Sequence, residues 1–459
     1  MVRTEKDSFG EKEVPVQAYF GIHTTRSLEN FSVAGEPLPI EIIYGMVKLK
    51  KACALANESL GLLDKKKAVA IINACDNILK GGFEKEFPID IFQAGSGTSS
   101  NMNVNEVIAN LACKGLGGQK GDRSLVHPND DVNKGQSTNN IFPSGVKVAA
   151  SEQSLHAIAS LERLAASLRK KAEEFSGILK SGRTHLQDAV PITLGQEFAA
   201  YARAIEKDLL RIKEAREKCL ELGVGGNAVG TGVNTKPQFR NEIIKALNQA
   251  TGEYYAVAKD GIEATQFLTD LAGLSSALRL TALDILKIVN DLRLLSSGPN
   301  TGFGELALPA VEPGSSIMPG KINPSICEAA NMACMQVLGN DHCVAIACGA
   351  GQLELNTHMP LVGTNLVKSL RILSRCPAML AEKCIEGITA NEDVCKKHFE
   401  WSAGLATILN PKLGYDRVAE LVKQSLKEKK NLRQLAIEKG ILTEAEYEEL
   451  AYRCTGPNL

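Results

Sequence analysis

The sequence predicts a nearly all-α protein built around long helices, and three observations lead there. Aromatic residues make up only 5% of the 459-residue chain. Alternating β-branched runs, the mark of a half-buried strand, are scarce, whereas apolar residues recur over long stretches at helical spacing. One stretch carries that spacing well beyond an ordinary helix. From Ile262 to Leu295, the residues Phe267, Leu271, Leu274, Leu278, Ile285, Ile288, Leu292 and Leu295 advance in steps of four and three, with Thr281 in the one polar slot. Such a heptad seam belongs to an extended bundle. A helix of about 30 residues spans ~45 Å at ~1.5 Å per residue, too long for a compact single layer. Asp270, Arg279, Asp284 and Lys287 lie off the seam and argue against a membrane span.

Further long helices are expected at Val146–Phe175, Leu194–Leu222, Ile326–Ala347 and Leu361–Lys383. Glycine-rich or polar linkers separate them at Gly223–Asn234, Ser297–Gly304 and Gly314–Asn323. From Asn391 onward the chain reads as short helices, one of them opened by the capping box Thr443-Glu-Ala-Glu446. The length suits roughly three domains of ~150 residues each. The expected division is 1–136, an N-terminal mostly helical domain carrying polar loops; 137–392, the central long-helix bundle; and 393–459, a small C-terminal helical domain.

Hydrophobic residues at 44% and charged residues at 23% fit a soluble globular chain able to bury a large core. The 52 basic and 53 acidic side chains leave a formal charge of −1. That excludes a nucleic-acid binder relying on a broad basic surface, though not a local cationic pocket. The N-terminal Met1–Gly10 has no apolar core for a secretory signal, and no apolar run is long enough to cross a bilayer. A cytoplasmic protein is expected. The twelve cysteines scatter from Cys53 to Cys454 with no Cys-x-x-Cys pair, several of them, such as Cys334, Cys343 and Cys348, in helical apolar runs. They read as buried free thiols, and neither a metal site nor a cofactor is expected.

Four segments are rich in small polar side chains that a helical scaffold does not need. They are Gly95-Ser-Gly-Thr-Ser-Ser-Asn-Met-Asn103, the stretch His127–Asn140, Gly182-Arg-Thr-His-Leu-Gln-Asp188 and Gly314-Ser-Ser-Ile-Met-Pro-Gly-Lys-Ile-Asn-Pro324. Each offers hydroxyls, amides or backbone N–H groups and few acids, which is what an anionic carboxylate ligand requires, above all at a helix N-terminus. Taken singly, each has a simpler explanation. Gly95–Asn103 can be a capped turn before a helix near Val104–Leu116, and it lacks the spacing of a nucleotide-binding glycine loop. Ser137-Thr-Asn-Asn140 can be an N-cap cluster, His127 before Pro128 the start of a turn, His185 a structural histidine, and Lys321 a surface lysine.

The eleven residues Gly314–Pro324 shift that balance, because they resemble the signature of the aspartase/fumarase superfamily. Met318-Pro-Gly-Lys321 is most similar to the branch of class II fumarases and aspartate ammonia-lyases. The other three segments match that branch in order and separation, so the resemblance covers essentially the whole chain. It implies a three-domain, mainly α fold with a central long-helix bundle. It also implies a homotetramer in which each active site combines segments from three subunits.

The implied chemistry is an elimination that yields fumarate. A base removes a proton from a carbon beside a carboxylate, and positioned donors stabilise the resulting aci-carboxylate. By the resemblance, Ser315 is the base, with its alkoxide favoured by loop N–H groups and nearby positive charge. Lys321 and Asn323 bind the carboxylate that gathers charge, and Thr184, Ser137 and Thr138 add hydrogen bonds to it. Thr98, Asn139 and the second catalytic candidate, His185, hold the departing group and the other carboxylate. Ser96 and Glu328 support the site. His127, Asn129 and Asp130 resemble a secondary dicarboxylate site.

The leaving group divides the branch. Ala18–Arg26, Ser137-Thr-Asn139, Gly351–Asn356 and Lys383–Asn391 resemble aspartases, which release ammonia from L-aspartate. Gly95-Ser-Gly-Thr98, His127–Asn133 and Glu312-Pro-Gly314 are similar to fumarases, which interconvert L-malate and fumarate. Asn140 departs from both, standing where each normally carries aspartate, and this admits another substituted succinate as substrate. Aspartase is the first expectation. A non-catalytic structural protein, the other class weighed, is disfavoured by the presence of Ser315, Lys321, Asn323, Thr184 and His185 together.

Overall fold

Helices dominate the computed structural model, which describes residues 1–314, 317–453 and 455. The chain opens with an antiparallel hairpin of β1 (Val2–Asp7) and β2 (Gly10–Pro15). Helices α1 (Ile22–Asn30), α2 (Ile40–Ser59), α3 (Lys65–Leu79) and α4 (Thr98–Gly115) follow, and then the long α5 (Thr138–Glu174). A second hairpin, β3 (Leu179–Thr184) with β4 (Gln187–Thr193), leads into α6 (Leu194–Lys218). Next come β5 (Glu221–Leu222), α7 (Phe239–Thr251) and β6 (Ala256–Val257), the two strands pairing in parallel. The short α8 (Glu263–Gln266) precedes α9 (Thr269–Leu295), and β7 (Leu306–Ala307) precedes α10 (Ser325–Gly349). Helices α11 (Met359–Leu373) and α12 (Cys376–Lys383) are followed by β8 (Thr389–Ala390), which pairs antiparallel with β7. Five short helices close the chain: α13 (Glu392–Trp401), α14 (Ala406–Leu413), α15 (Tyr415–Glu428), α16 (Leu432–Glu438) and α17 (Glu444–Arg453).

The long-helix reading holds, with corrections at the ends that have local causes. The seam does not start at Ile262. Phe267 is extended (φ −109°, ψ 135°) and more than half exposed, so the chain breaks there and α9 begins at Thr269. From Leu271 onward every seam residue is buried, Thr281 included. A same-face pattern persists across such a break, so periodicity cannot reveal it. Helix α5 begins at Thr138, eight residues before the expected Val146, and carries Pro143 inside its second turn, so the proline and polar residues before Val146 do not mark its start. The expected helix Leu361–Lys383 is two helices, divided at Ser374-Arg375 with Pro377 in the first turn of α12. Helix α6 stops at Lys218, and Glu221–Leu222 become a strand. The capping box is formed: Thr443 N donates to Glu446 Oε2 at 2.8 Å, and Glu446 N to Thr443 Oγ1 at 3.3 Å.

The chain divides into two compact units. The first comprises Met1–Ile158, Leu210–Leu280 and Gln336–Ser374. Its core includes Met46, Leu49, Ile71, Val104, Ile108, Phe142, Val146, Ile243, Leu247, Leu274 and Leu366, all buried. Helices α2 and α5 approach so closely that a Cβ on Gly45 would lie 2.2 Å from the carbonyl oxygen of Gly145. Only glycine permits that crossing. The second unit comprises Ala159–Leu209, Thr281–Met335 and Arg375–Leu459. Leu161, Leu168, Phe175, Phe198, Ile285, Ile288, Leu292 and Leu380 are buried within it. Its C-terminal part has a cluster of its own, with Phe399, Leu409, Val418, Leu421, Leu432, Ala436 and Tyr447.

Among the described residues no helix is long and apolar enough to cross a membrane. The described cysteines are all unlinked; Cys343 and Cys348 are half-buried and the others buried, while Cys454 lies outside the described residues. Large apolar side chains stay exposed on the long helices: Leu155 on α5, Leu210 on α6, Leu283 on α9, and Met332, Met335 and Ile346 on α10.

Candidate active site

The first unit brings two of the four polar segments together at the starts of α4 and α5. Gly95–Gly97 form a tight turn into α4, with Ser96 at φ 61° and Gly97 at φ 87°. A Cβ on Gly97 would lie 2.2 Å from the ring of Phe142, so this position admits only glycine. The turn is tied down by Ser96 N, which donates to the Thr357 carbonyl at 2.9 Å. It presents Thr98 half-buried as the first residue of α4, its hydroxyl 3.3 Å from Ser96 Oγ and 3.2 Å from the Gly95 carbonyl. Ser137 caps α5: its Oγ accepts from Asn139 N at 3.2 Å and its carbonyl from Ile141 N at 3.0 Å. Thr138 Oγ1 accepts from Asn101 Nδ2 at 2.9 Å, which joins the two helix starts.

The loop after β5 secures the next two side chains. Asn139 Nδ2 donates to the Ala228 carbonyl at 2.7 Å, and Asn140 Nδ2 to the Asn227 carbonyl at 2.5 Å. Asn140 is fully buried. An aspartate there would turn a carboxylate toward a carbonyl oxygen, so the asparagine and this contact are mutually consistent. Around the same helix starts, Ser99 Oγ, Ser100 Oγ, Asn101 Oδ1 and Asn140 Oδ1 are buried without a hydrogen-bond partner. Buried polar groups are rarely left so, and a cluster of them calls for a specific reason. Two helix N-termini and these hydroxyls make an environment suited to an anion.

His127 caps a single turn over Pro128–Val132. Its Nδ1 accepts from Asn129 N at 3.2 Å and Asp130 N at 3.1 Å, while Asn129 and Asp130 are exposed. The turn begins as its sequence suggested, and nothing in its geometry marks a ligand.

The second unit holds the other two segments. The third forms the tip of the β3–β4 hairpin, an element the scarcity of alternation had hidden. Thr184 pairs with Gln187 across a two-residue turn whose residues, His185 at φ 56° and Leu186 at φ 58°, are both left-handed. Hairpin turns of this kind favour Asn and Gly. A leucine held there costs roughly 1–2 kcal/mol, and strained residues of this sort cluster at functional sites. Thr184, His185 and Leu186 are all exposed.

The base of this hairpin is anchored by a buried charge cluster that the sequence did not disclose. Glu305 has no solvent exposure and accepts from Arg183 Nη2 at 2.5 Å, Lys180 Nζ at 2.9 Å and His398 Nδ1 at 2.9 Å. Lys180, itself buried, also meets Glu197 at 2.7 Å. Burial alone would raise the Glu305 carboxyl, but the Arg183 guanidinium, Lys180 and His398 outweigh it and hold it at about 2. The only hint in the sequence was an acid set between Gly304 and the apolar run Leu306-Ala-Leu-Pro309.

The fourth segment is a loop that closes on itself. Asn323 Nδ2 donates to the Gly314 carbonyl at 2.5 Å, and Lys321 N to the Met318 carbonyl at 3.2 Å. Lys321 is exposed, as are Ile317, Met318 and Ile322. Helix α10 begins just beyond, at Ser325, with Glu328 half-buried in its first turn. Ser315, the expected base, lies outside the described residues. Among the described residues, no group of three His, Cys, Asp or Glu side chains is arranged to hold a metal ion.

Comparison with known proteins bears on the family and the fold. A family described as Lyase matches residues 10–339, and one described as Fumarase C C-terminus matches residues 405–451. The chain is 44% identical to an aspartate ammonia-lyase of Helicobacter pylori, over 98% of this chain and 96% of that protein. It is equally 44% identical to a class II fumarate hydratase of Thermosynechococcus vestitus, over 97% of this chain and 96% of that one. A fumarate lyase:delta crystallin structure from Brucella melitensis, bound to cobalt, superimposes with a TM-score of 0.96 at 44% identity and full coverage of both chains. Sequence and fold agree over the whole length, and the chain belongs to the aspartase/fumarase family of lyases.

Proposed function

We propose that this lyase eliminates ammonia from L-aspartate to give fumarate. The observation that carries the reading is the neutral, donor-rich pair of helix starts at Thr98 and Ser137–Asn139, with Asn140 held against the Asn227 carbonyl. This surrounding supplies hydrogen bonds for a dicarboxylate without a fixed negative charge beside it. Full-length similarity to aspartate ammonia-lyases supports the choice of substrate.

In the proposed reaction, Ser315 as alkoxide takes a proton from the carbon next to one carboxylate. The electron pair of that C–H bond flows into the carboxylate, giving the aci-carboxylate dianion. Lys321 and Asn323 face the charge that develops there, and Thr184, Ser137 and Thr138 add hydrogen bonds. Collapse of the dianion forms the carbon–carbon double bond and breaks the carbon–nitrogen bond, releasing ammonia. Thr98, Asn139 and His185 hold the departing amine and the second carboxylate. His185 stands exposed at the left-handed turn of the hairpin tip, which supports its being open to a ligand. Ser96 supports Thr98 through the 3.3 Å hydroxyl contact, and Glu328 flanks the loop at the start of α10. His127, Asn129 and Asp130 belong to the proposal only as a secondary dicarboxylate site. No cofactor takes part.

The proposed working assembly is a homotetramer, with each site combining segments from three copies. Exposed apolar residues on α5, α6, α9 and α10, Met332 and Ile346 among them, support it, because such side chains on long helices are well suited to bury one another.

Fumarate hydratase activity is the second reading, favoured by Gly95-Ser-Gly-Thr98 and by the equal identity to a class II fumarate hydratase. Separate incubations with L-aspartate and L-malate, followed by fumarate absorbance and an ammonia assay, distinguish the two. Turnover of malate alone would replace the first reading with the second. Turnover of neither, with aspartate and malate both bound, would point to another substituted succinate.

A further inference from the structure

A buried amine lies behind the Thr138 side chain. Lys50, midway along α2, has no solvent exposure. Its Nζ donates to Asn133 Oδ1 at 2.7 Å. That oxygen also takes Asn101 Nδ2 at 3.4 Å, and the same Asn101 Nδ2 reaches Thr138 Oγ1 at 2.9 Å. A continuous chain of polar contacts therefore runs from the amine to the start of α5.

An enclosed ammonium is normally met by a carboxylate, because isolated charge is costly away from water. The groups acting on Lys50 are instead two thiols, Cys53 one turn along α2 and Cys75 on α3. Burial pushes the Cys53 thiol up to about 12 and raises Cys75 as well, so both stay uncharged. Carboxylates on the surrounding elements are engaged elsewhere. Asp76 of α3 meets Lys51 at 2.6 Å, Asp131 meets Lys67 at 2.7 Å, and Glu152 of α5 meets Lys48 at 2.5 Å. Glu106 of α4 accepts the backbone amides of Gly21, His23 and Thr24. On α7, Glu242 and Lys245 stand 3.9 Å apart; on α11, Lys368 and Arg371 meet Glu36 and Glu41. Orphaned polar atoms on Ser99, Ser100 and Asn101 mark the same end of α4.

We propose that Lys50 is the buried counter-charge of the dicarboxylate, a positioning residue acting through Asn133, Asn101 and Thr138, so that ligand binding and protonation of this amine are linked. The inference rests on the reading of Thr138 as part of the dicarboxylate site. Desolvation draws the amine down to about 7 in the free protein. An arriving dianion favours the charged form and raises that value. Below about pH 7 the amine is charged with or without ligand, and affinity is level. Above it, binding takes up a proton, and affinity falls with rising pH until the ligand-bound value is reached.

Succinate, a dicarboxylate without a leaving group, is the probe. Titration calorimetry at pH 6 and pH 8, in buffers of different ionisation heat, counts protons taken up per site. The parent protein is expected to take up close to one proton more at pH 8 than Lys50→Met does, and to weaken about fivefold from pH 7 to pH 8, as linked uptake by an amine half-charged near pH 7 requires. Lys50→Met binds with a level profile. Asn133→Asp sets a carboxylate against the amine, keeps it charged and also removes the uptake, which preserves the test if Lys50→Met fails to fold. Equal uptake in the parent and either variant would overturn the assignment. A parent protein that binds no succinate and turns over no aspartate would overturn the dicarboxylate reading, and this inference with it.

Discussion

Single residues decide whether the proposed chemistry can run. If Ser315 is the base, Ser315→Ala lowers turnover by about 10²–10⁴-fold, the range for a positioned proton acceptor, while the far-ultraviolet circular dichroism of the fold is unchanged. Unaltered turnover in that variant would remove Ser315 from the mechanism. Asn140 offers a separate test. Asn140→Asp puts a carboxylate against the Asn227 carbonyl, now held by Asn140 Nδ2 at 2.5 Å. The loss is about 1–3 kcal/mol, the cost of a buried group without its partner, read as a lower denaturation midpoint. At this scale the Ser137 cap was legible in the sequence, because it is set by a short string whose contacts are local. Lys50, Asn133 and Glu305 were not. Their meaning comes from partners 83 residues away for Lys50 and 122 for Glu305 with Arg183, and no spacing rule reports such pairings.

At the level of elements, the sequence announced helices and concealed strands. Helical periodicity repeats over many turns and declares itself; the β3–β4 hairpin is two short strands whose faces are mixed, with Gly182 and Pro191 interrupting any alternation. Its position depends instead on the Glu305 cluster. Replacing Glu305 by glutamine leaves Lys180 and Arg183 facing a neutral group within protein, and about 3–5 kcal/mol of stability is expected to go with it. The pH dependence has a definite sign. Glu305 ordinarily titrates near 4.5 and is held at about 2 in the folded protein. Its contribution is therefore complete above about pH 4.5 and lost as pH falls toward 2. Denaturation midpoints of the parent and Glu305→Gln should converge over that window. A gap that stays constant between pH 5 and pH 2 would show that the cluster does not stabilise the hairpin electrostatically.

For the whole molecule, the long helices were read correctly in kind and misjudged at their ends, where one extended residue, Phe267, or one proline, Pro377, decides the boundary. Their exposed apolar residues lead to an expected mass: light scattering on the purified protein should give close to four times the 49.2 kDa chain. A monomer at micromolar concentration that is fully active would contradict a site assembled from several copies. The family is established by the full length of the chain; the leaving group is the proposal that matters most. Its most direct test is the purified protein incubated separately with L-aspartate and with L-malate while fumarate is followed by ultraviolet absorbance. The expected result is fumarate with equimolar ammonia from L-aspartate and none from L-malate; fumarate from L-malate alone would contradict it.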